Sequence, residues 1–168
     1  MCGMNELILR RATVDDVKEI MEIAAEVFER LAIDSLIEEK FGLLNGTTWQ
    51  QRKADQVREE VLSDPEAVIV AEKDGRVIGF ITTTYNEKAR VGRISNLAVA
   101  AAHQGHGIGK RLLQAAYELL RSKGAKYLQI ETLETNEIGQ YLYPKLGFQE
   151  GGRKIYYFME VEQWRPPV

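Results

Sequence analysis

The chain has 168 residues with 22 Lys+Arg, 25 Asp+Glu and 45% hydrophobic residues, the makeup of one globular domain, which excludes a disordered tail, a collagen-like repeat and a disulfide scaffold. Its longest apolar run, residues 97–102, is too short for a signal peptide or a membrane span, so a cytoplasmic protein without membrane contact is expected. Cys2, His103 and His106 supply no metal-ligand cluster, and no basic stripe with interleaved aromatics points to nucleic acid.

Residues 7–11 read as a short strand. Thr13 with Asp16 three residues on then starts a helix in capping-box style, and Val17, Ile20, Met21, Ala24, Val27 and Phe28 keep helical spacing to about residue 31. A mixed stretch over 32–46 ends in the turn signal Asn45-Gly46, after which Thr47 or Thr48 caps a second helix running to about residue 62. Residues 67–72 and 77–85 are β-rich and joined through Asp74-Gly75, an antiparallel hairpin. Further strands are expected over 91–99, 127–132 and 154–161, with helices over 108–123 and 136–146. The order is β-α-α-β-β-β-α-β-α-β.

Charge divides unevenly along this order. Residues 1–66 hold eight Lys+Arg against fifteen Asp+Glu, net −7, while the remainder is net +4. One-sided fields steer oppositely charged ligands.

The segment richest in chemistry is Gln104-Gly105-His106-Gly107-Ile108-Gly109-Lys110, between a strand and an amphipathic helix. Glycines let backbone approach an anion, and the free amides and dipole of a helix N-terminus favour one there. Which anion is a matter of spacing. A P-loop needs G-x-x-x-x-G-K-[ST], but Gln104 stands at its first glycine and Arg111 at its Ser/Thr. A dinucleotide fingerprint fails too, at Lys110 in one register and at Leu112 in the other.

Gln104-x-x-Gly107-x-Gly109 resembles the Q/R-x-x-G-x-G/A acetyl-CoA loop of the GNAT N-acetyltransferase family, and Asn96-Leu97-Ala98-Val99 resembles the strand that holds pantetheine there. Independently, Asn136, Leu142-Tyr143-x-Lys145-x-Gly147-Phe148 is similar to that family's N-x-x-A-x-x-L-Y-x-K-x-G-F segment, with Gly139 at the alanine. The resemblance implies an α/β acyl-CoA N-acyltransferase fold with a central, mostly antiparallel sheet, an N-acetyltransferase domain over 6–162 and a C-terminal tail over 163–168. It implies transfer of acetyl from acetyl-CoA to a primary amine by direct attack in a ternary complex, without a metal. Cys2, far in sequence from both motifs, gives no reason to invoke a covalent intermediate.

By resemblance, Gln104, Gly105, His106, Gly107, Ile108, Gly109 and Lys110 bind the CoA pyrophosphate, and backbone of Leu97 and Val99 pairs with pantetheine. An amide near Ala98 or Val99 stabilises the oxyanion. Asn136 touches the cofactor or serves as an N-cap. Tyr143 protonates the departing thiolate, unless it is an ordinary half-buried aromatic, and Pro144 puts it near a helix end or kink. The family's usual glutamate before the glycine loop is missing from Arg93-Ile94-Ser95-Asn96, so Asn96 or Ser95 is a candidate for orienting a water. Glu131, twelve residues before Tyr143, matches the acid/base spacing proposed for ribosomal-protein N-terminal acetyltransferases. It reads equally as a solvent-facing or salt-bridged residue, and Glu134 is a further candidate.

The family places its acceptor under the first two helices, here the net −7 segment with Glu29, Asp34, Glu38 and Glu39, so a cationic amine is expected. Phe41, Trp49 and Tyr85 line such a pocket or belong to the core. A catalytically silent CoA-binding module of the same fold, a nucleotide-dependent oxidoreductase of another fold, and a homodimer joined through residues 155–159 are the open alternatives.

Overall fold

The computed structural model describes residues 6–167, which leaves Cys2 outside the described part. Its elements are β1 (Ile8–Arg11), α1 (Val17–Val27), α2 (Ile33–Phe41), α3 (Trp49–Ser63), β2 (Val68–Lys73), β3 (Arg76–Asn86), β4 (Val91–Val99), α4 (Ile108–Ser122), β5 (Tyr127–Ile130) and α5 (Glu137–Lys145). The strands form one sheet in the order β1-β2-β3-β4-β5, antiparallel except for the parallel pair β4–β5. Parallel strands need a crossover connection, and α4 supplies it.

Each sheet face is covered by its own apolar layer. On one, Ile20, Ile23 and Ala24 of α1 and Val57 and Val61 of α3 pack with Val68, Val70 and Phe80. On the other, Leu112, Leu113, Ala116 and Leu120 of α4 pack on Ile69, Ile81 and Ile94. The i, i+4 spacing that marked these helices in the sequence is the spacing of the buried stripes. Gly92 marks the closest approach of α4 to the sheet, since a Cβ built there would lie 2.8 Å from Leu120 Cδ1.

The chain enters the first layer through a tied corner. Arg10 donates to both carboxylate oxygens of buried Asp16 at 2.7 Å and to Glu72 at 2.7 Å, while the Thr13 amide donates to Asp16 at 2.7 Å. Between β2 and β3, Asp74 (φ 55°) and Gly75 (φ 74°) make the two-residue turn that Asp-Gly announces.

Two expectations are corrected. The stretch over 32–46 contains a third N-terminal helix, α2, which buries none of its residues and is closed by Gly42 at φ 75°. Having no fully buried stripe, it carries only a weak periodic signal. The strand expected over 154–161 is absent among the described residues: 154–160 has no regular structure, and Ile155 (74% exposed) and Tyr157 (88% exposed) face solvent. Their alternation is a strand pattern, but a strand exists only with a partner ladder, and among the described residues no strand pairs with the outer edge of β5.

Candidate active site

β4 pairs with β3 along its whole length but with β5 only from Val91 to Ile94, opposite Tyr127 to Ile130. Past that point the strands part, leaving Ser95, Asn96, Leu97, Ala98 and Val99 beside an opening. The β3–β4 register shifts where Thr82 faces Asn96 and Thr83 faces Ile94, so Ser95 is the extra residue of a bulge, a device that bends a strand and re-aims its neighbours. The Ala100 amide donates to the Ile78 carbonyl at 2.9 Å. Counting back by twos turns the backbones of Ala98 and Asn96 toward β3, and those of Leu97 and Val99 toward the opening. There the Val99 carbonyl accepts a hydrogen bond from Gln104 Nε2 at 2.9 Å.

The glycine loop closes one end of this opening. Gly105 (φ 79°) and Gly107 (φ 77°) are left-handed, and a Cβ at either would meet nothing within 4 Å, so conformation rather than crowding selects glycine. Gly107 caps α4, whose first internal bond runs from the Arg111 amide to the Gly107 carbonyl at 3.2 Å. The amides of Ile108, Gly109 and Lys110 precede it and point out of the helix end. Gln104, His106 and Lys110 are exposed, whereas the Ile108 side chain is buried under the loop.

The far wall comes from α5. Asn136 caps it, accepting from the Gly139 amide at 3.0 Å and donating to Thr132 Oγ1 at 2.8 Å. A Cβ at Gly139 would sit 2.7 Å from Asn136 Nδ2 and 2.9 Å from Tyr143 Cε2. Glycine thus lets these two side chains close over it. Tyr143 lies in the last turn of α5, edge-on to Phe148 with ring centroids 6.1 Å apart, and burial pushes its phenol above the ordinary tyrosine value.

At the other end a pocket of about 100 Å³ joins Phe28, Leu31 and Lys53 of the helical layer to Ser95, Asn96 and Leu97 and, across the opening, to Thr132 and Tyr143. Asn96 is buried and fully engaged. Its Oδ1 accepts from Lys53 Nζ at 2.6 Å, and its Nδ2 donates to Glu60 Oε2 at 2.7 Å and Thr82 Oγ1 at 2.9 Å. Lys53 also donates to Gln56 Oε1 at 3.2 Å and lies 4.7 Å from the Phe28 ring centroid. Desolvation holds its ammonium below the ordinary lysine value, against the opposing pull of Glu60 and Asp34.

Glu131 lines the same pocket with its side chain half exposed, 3.8 Å from Arg93 and 3.7 Å from Lys154. Glu134 faces outward, paired with Arg153 at 2.9 Å. Asp34 and Glu38 are both held by Arg52. Of the three aromatics considered for the acceptor side, Trp49 is in the core and Tyr85 packs in the opposite layer, while Phe28 and Leu31 line the pocket instead. Lys53 was not singled out from the sequence. A signal existed: Trp49, Lys53, Val57 and Val61 form one i, i+4 row, and a lysine inside an apolar row is out of place unless a buried partner receives it.

Known proteins resemble this chain in sequence and in fold. The profile described as the Acetyltransferase (GNAT) family matches residues 19–148. The Bacillus subtilis protein named "Putative ribosomal protein bS18-alanine N-acetyltransferase" is 29% identical over 153 residues, covering 89% of this chain and 85% of that protein. An N-acetyltransferase of Archaeoglobus fulgidus is 28% identical over 133 residues, covering 76% of this chain and 83% of the relative. The crystal structure of PaiA N-acetyltransferase from Thermoplasma acidophilum, in complex with coenzyme A, superposes with a TM-score of 0.68 at 21% identity, over 86% of this chain and 90% of that one.

Proposed function

We propose, for a chain that belongs to the acetyltransferase (GNAT) family and transfers acetyl from acetyl-CoA to amines, that the reaction takes place in the opening between β4 and β5. The observation that carries this reading is the parting of those strands at a bulge, with a glycine-capped helix end at one side of the gap and a polar pocket at the other. The pyrophosphate of CoA lies over the amides of residues 104–110, where helix-end polarity favours negative charge. Pantetheine adds to the free edge of β4 as a short strand would, its amides meeting the backbones of Leu97 and Val99. The alternation that turns Ala98 to β3 leaves the Val99 amide as the oxyanion donor.

Asn136 steadies the cofactor side through Thr132. Tyr143 delivers its proton to the thiolate as the C–S bond breaks, a role supported by its place in the pocket wall and its retained proton at neutral pH. Asn96, with its donors spent on Glu60 and Thr82, acts as a fixed acceptor behind the pocket rather than on a mobile water. Glu131 at the rim attracts the acceptor.

The acceptor is a cationic primary amine, a reading supported by the acidic segment over α1 to α3. The relative named for an alanine of a ribosomal protein makes a polypeptide α-amine the first class to try. Exposed Ile155 and Tyr157, together with the place of β5 at the end of the sheet, support a homodimer in which the segment over 155–159 pairs across subunits. A cytoplasmic location is supported by the brevity of the apolar run over 97–102.

The test is a panel of N-terminal peptides, diamines, amino acids and aminoglycosides with acetyl-CoA, read by thiol release and by mass of the product. Acetylation at a primary amine is expected. CoA binding with no acetylated product anywhere in the panel would leave only the binding role.

A further inference from the structure

An ammonium cannot attack a thioester until a proton leaves it, and a lysine-like amine with pKa about 10.4 is mostly protonated at neutral pH. The four residues that β4 brings to the pocket, Ile94, Ser95, Asn96 and Leu97, include no base. Glu131 is half exposed and already shared between two cations. Lys53, buried in the same pocket, is a titratable group to which no role has yet been given. We propose that Lys53 is the base that takes the proton from the acceptor amine, acting from the floor of the pocket between Phe28 and Asn96. This rests on the acetyltransferase reading above.

The surroundings of Nζ suit both of its protonation states. A neutral amine has two hydrogens and one lone pair, and two amide oxygens, Asn96 Oδ1 at 2.6 Å and Gln56 Oε1 at 3.2 Å, match the two hydrogens. Asn96 cannot turn to offer its NH₂ group instead, because that group is committed to the Glu60 carboxylate and to Thr82. Once the third hydrogen arrives, the Phe28 ring face at 4.7 Å and the negative charge of Glu60 behind Asn96 stabilise the ammonium.

Among the described residues no carboxylate makes a direct ion pair with Lys53. Such a pair would raise its hold on the proton and leave less of the neutral amine. The charged groups that act on it are Glu60 of α3 and Asp34 of α2, the latter already engaged by Arg52. Tyr143 and Glu131 share the pocket from the α5 side. The buried residues of α1 are Ile20, Ile23 and Ala24, and β4 contributes Asn96 and Ala98, so neither element adds an ionisable neighbour from its buried face. Burial favours the neutral amine of Lys53, the form that can accept a proton.

The protons balance. Lys53 takes one from R–NH₃⁺, and the freed R–NH₂ attacks the thioester carbonyl to form the C–N bond. As the C–S bond breaks, Tyr143 gives its phenolic proton to the thiolate and recovers one from the nitrogen of the collapsing intermediate. Lys53 sheds its proton to solvent, so one proton is released per acetyl transferred.

The experiment has two arms. In protein labelled with ¹³C-lysine, the Cε signal of Lys53, assigned by its loss in Lys53→Met, is followed against pH. It is expected to titrate below the ordinary lysine range, and titration within or above that range overturns the proposal whether or not an acceptor is in hand. In the kinetic arm, with the acceptor that turns over in the panel, Lys53→Met is expected to lose about 10²-fold or more in kcat/KM at neutral pH. That deficit should shrink toward unity as pH rises past the acceptor's own pKa. Lys53→Arg, which keeps the charge but accepts no proton, should be equally deficient. A functional Lys53→Arg, or a deficit independent of pH, overturns the assignment. Both variants should keep the acetyl-CoA thermal shift of the wild type. Absence of that shift in the wild type itself would mark failure of the acetyltransferase reading rather than of this one.

Discussion

At the scale of single residues, α5 shows how one position serves two side chains. Gly139 lets Asn136 and Tyr143 close to distances that a methyl group would violate, so Gly139→Ala is expected to shift both. It should cost no more than about 1 kcal/mol of stability, the worth of a helix cap, while lowering kcat/KM by a larger factor; steady-state kinetics beside a melt would separate the two. Tyr143→Phe keeps the ring against Phe148 and removes only the proton. A loss of about 10²-fold in kcat with KM little changed is expected. Because burial raises the Tyr143 pKa, the protonated acid persists past the usual tyrosine range, and the alkaline fall of wild-type kcat should appear only above about 10. The spacing of Tyr143, Asn136 and the glycines was legible in the sequence. The pairing of Lys53 with Asn96 was not, since 43 residues separate them and only the packing of α3 on the sheet brings them together.

At the scale of elements, the corner between β1 and α1 is a structural device remote from the chemistry. The Arg10 guanidinium holds the Asp16 carboxyl below its ordinary value of 3.8. A carboxylate so held contributes stability fully above its unfolded value, and loses it as pH falls through the lower folded one. Asp16→Asn should therefore cost about 2 kcal/mol near neutrality, a lowering of Tm by roughly 4–8 °C, and the deficit should vanish in acid below the folded value. A melt series from pH 7 to pH 2 checks this, with the acetyl-CoA shift near neutrality unaffected. The start of α4 is the opposite case. Gly107→Val puts a β-branched residue at φ 77°, costing about 1–3 kcal/mol and covering the amides behind it, so the acetyl-CoA shift itself should disappear. The glycines and the amphipathic stripe announced this element, whereas α2, with nothing fully buried, left little periodicity to read. Residues 154–160 gave the inverse error, a strand pattern with no partner ladder.

At the scale of the molecule, cofactor choice is the simplest outcome to measure. Acetyl-CoA at about 100 times its Kd should add roughly 2.7 kcal/mol of apparent stability, and ATP and NAD at equal excess should add nothing comparable. A larger shift with either nucleotide would overturn the reading of the glycine loop. The charge division has a molecular-scale consequence too: the net −7 segment belongs to the helical layer that supplies Phe28, Leu31 and Lys53, and the basic remainder carries the helix end proposed to receive the CoA pyrophosphate. By itself the sequence determined the family, the glycine loop that caps α4, the hairpin and the two amphipathic faces, because glycine conformation, capping and helical or alternating spacing are local properties of a chain. Only the tertiary structure decided where β4 leaves β5, which backbones turn into the gap, and which ionisable groups share the pocket. Those depend on register, on a one-residue bulge and on desolvation, which arise when segments far apart in the chain are packed against one another.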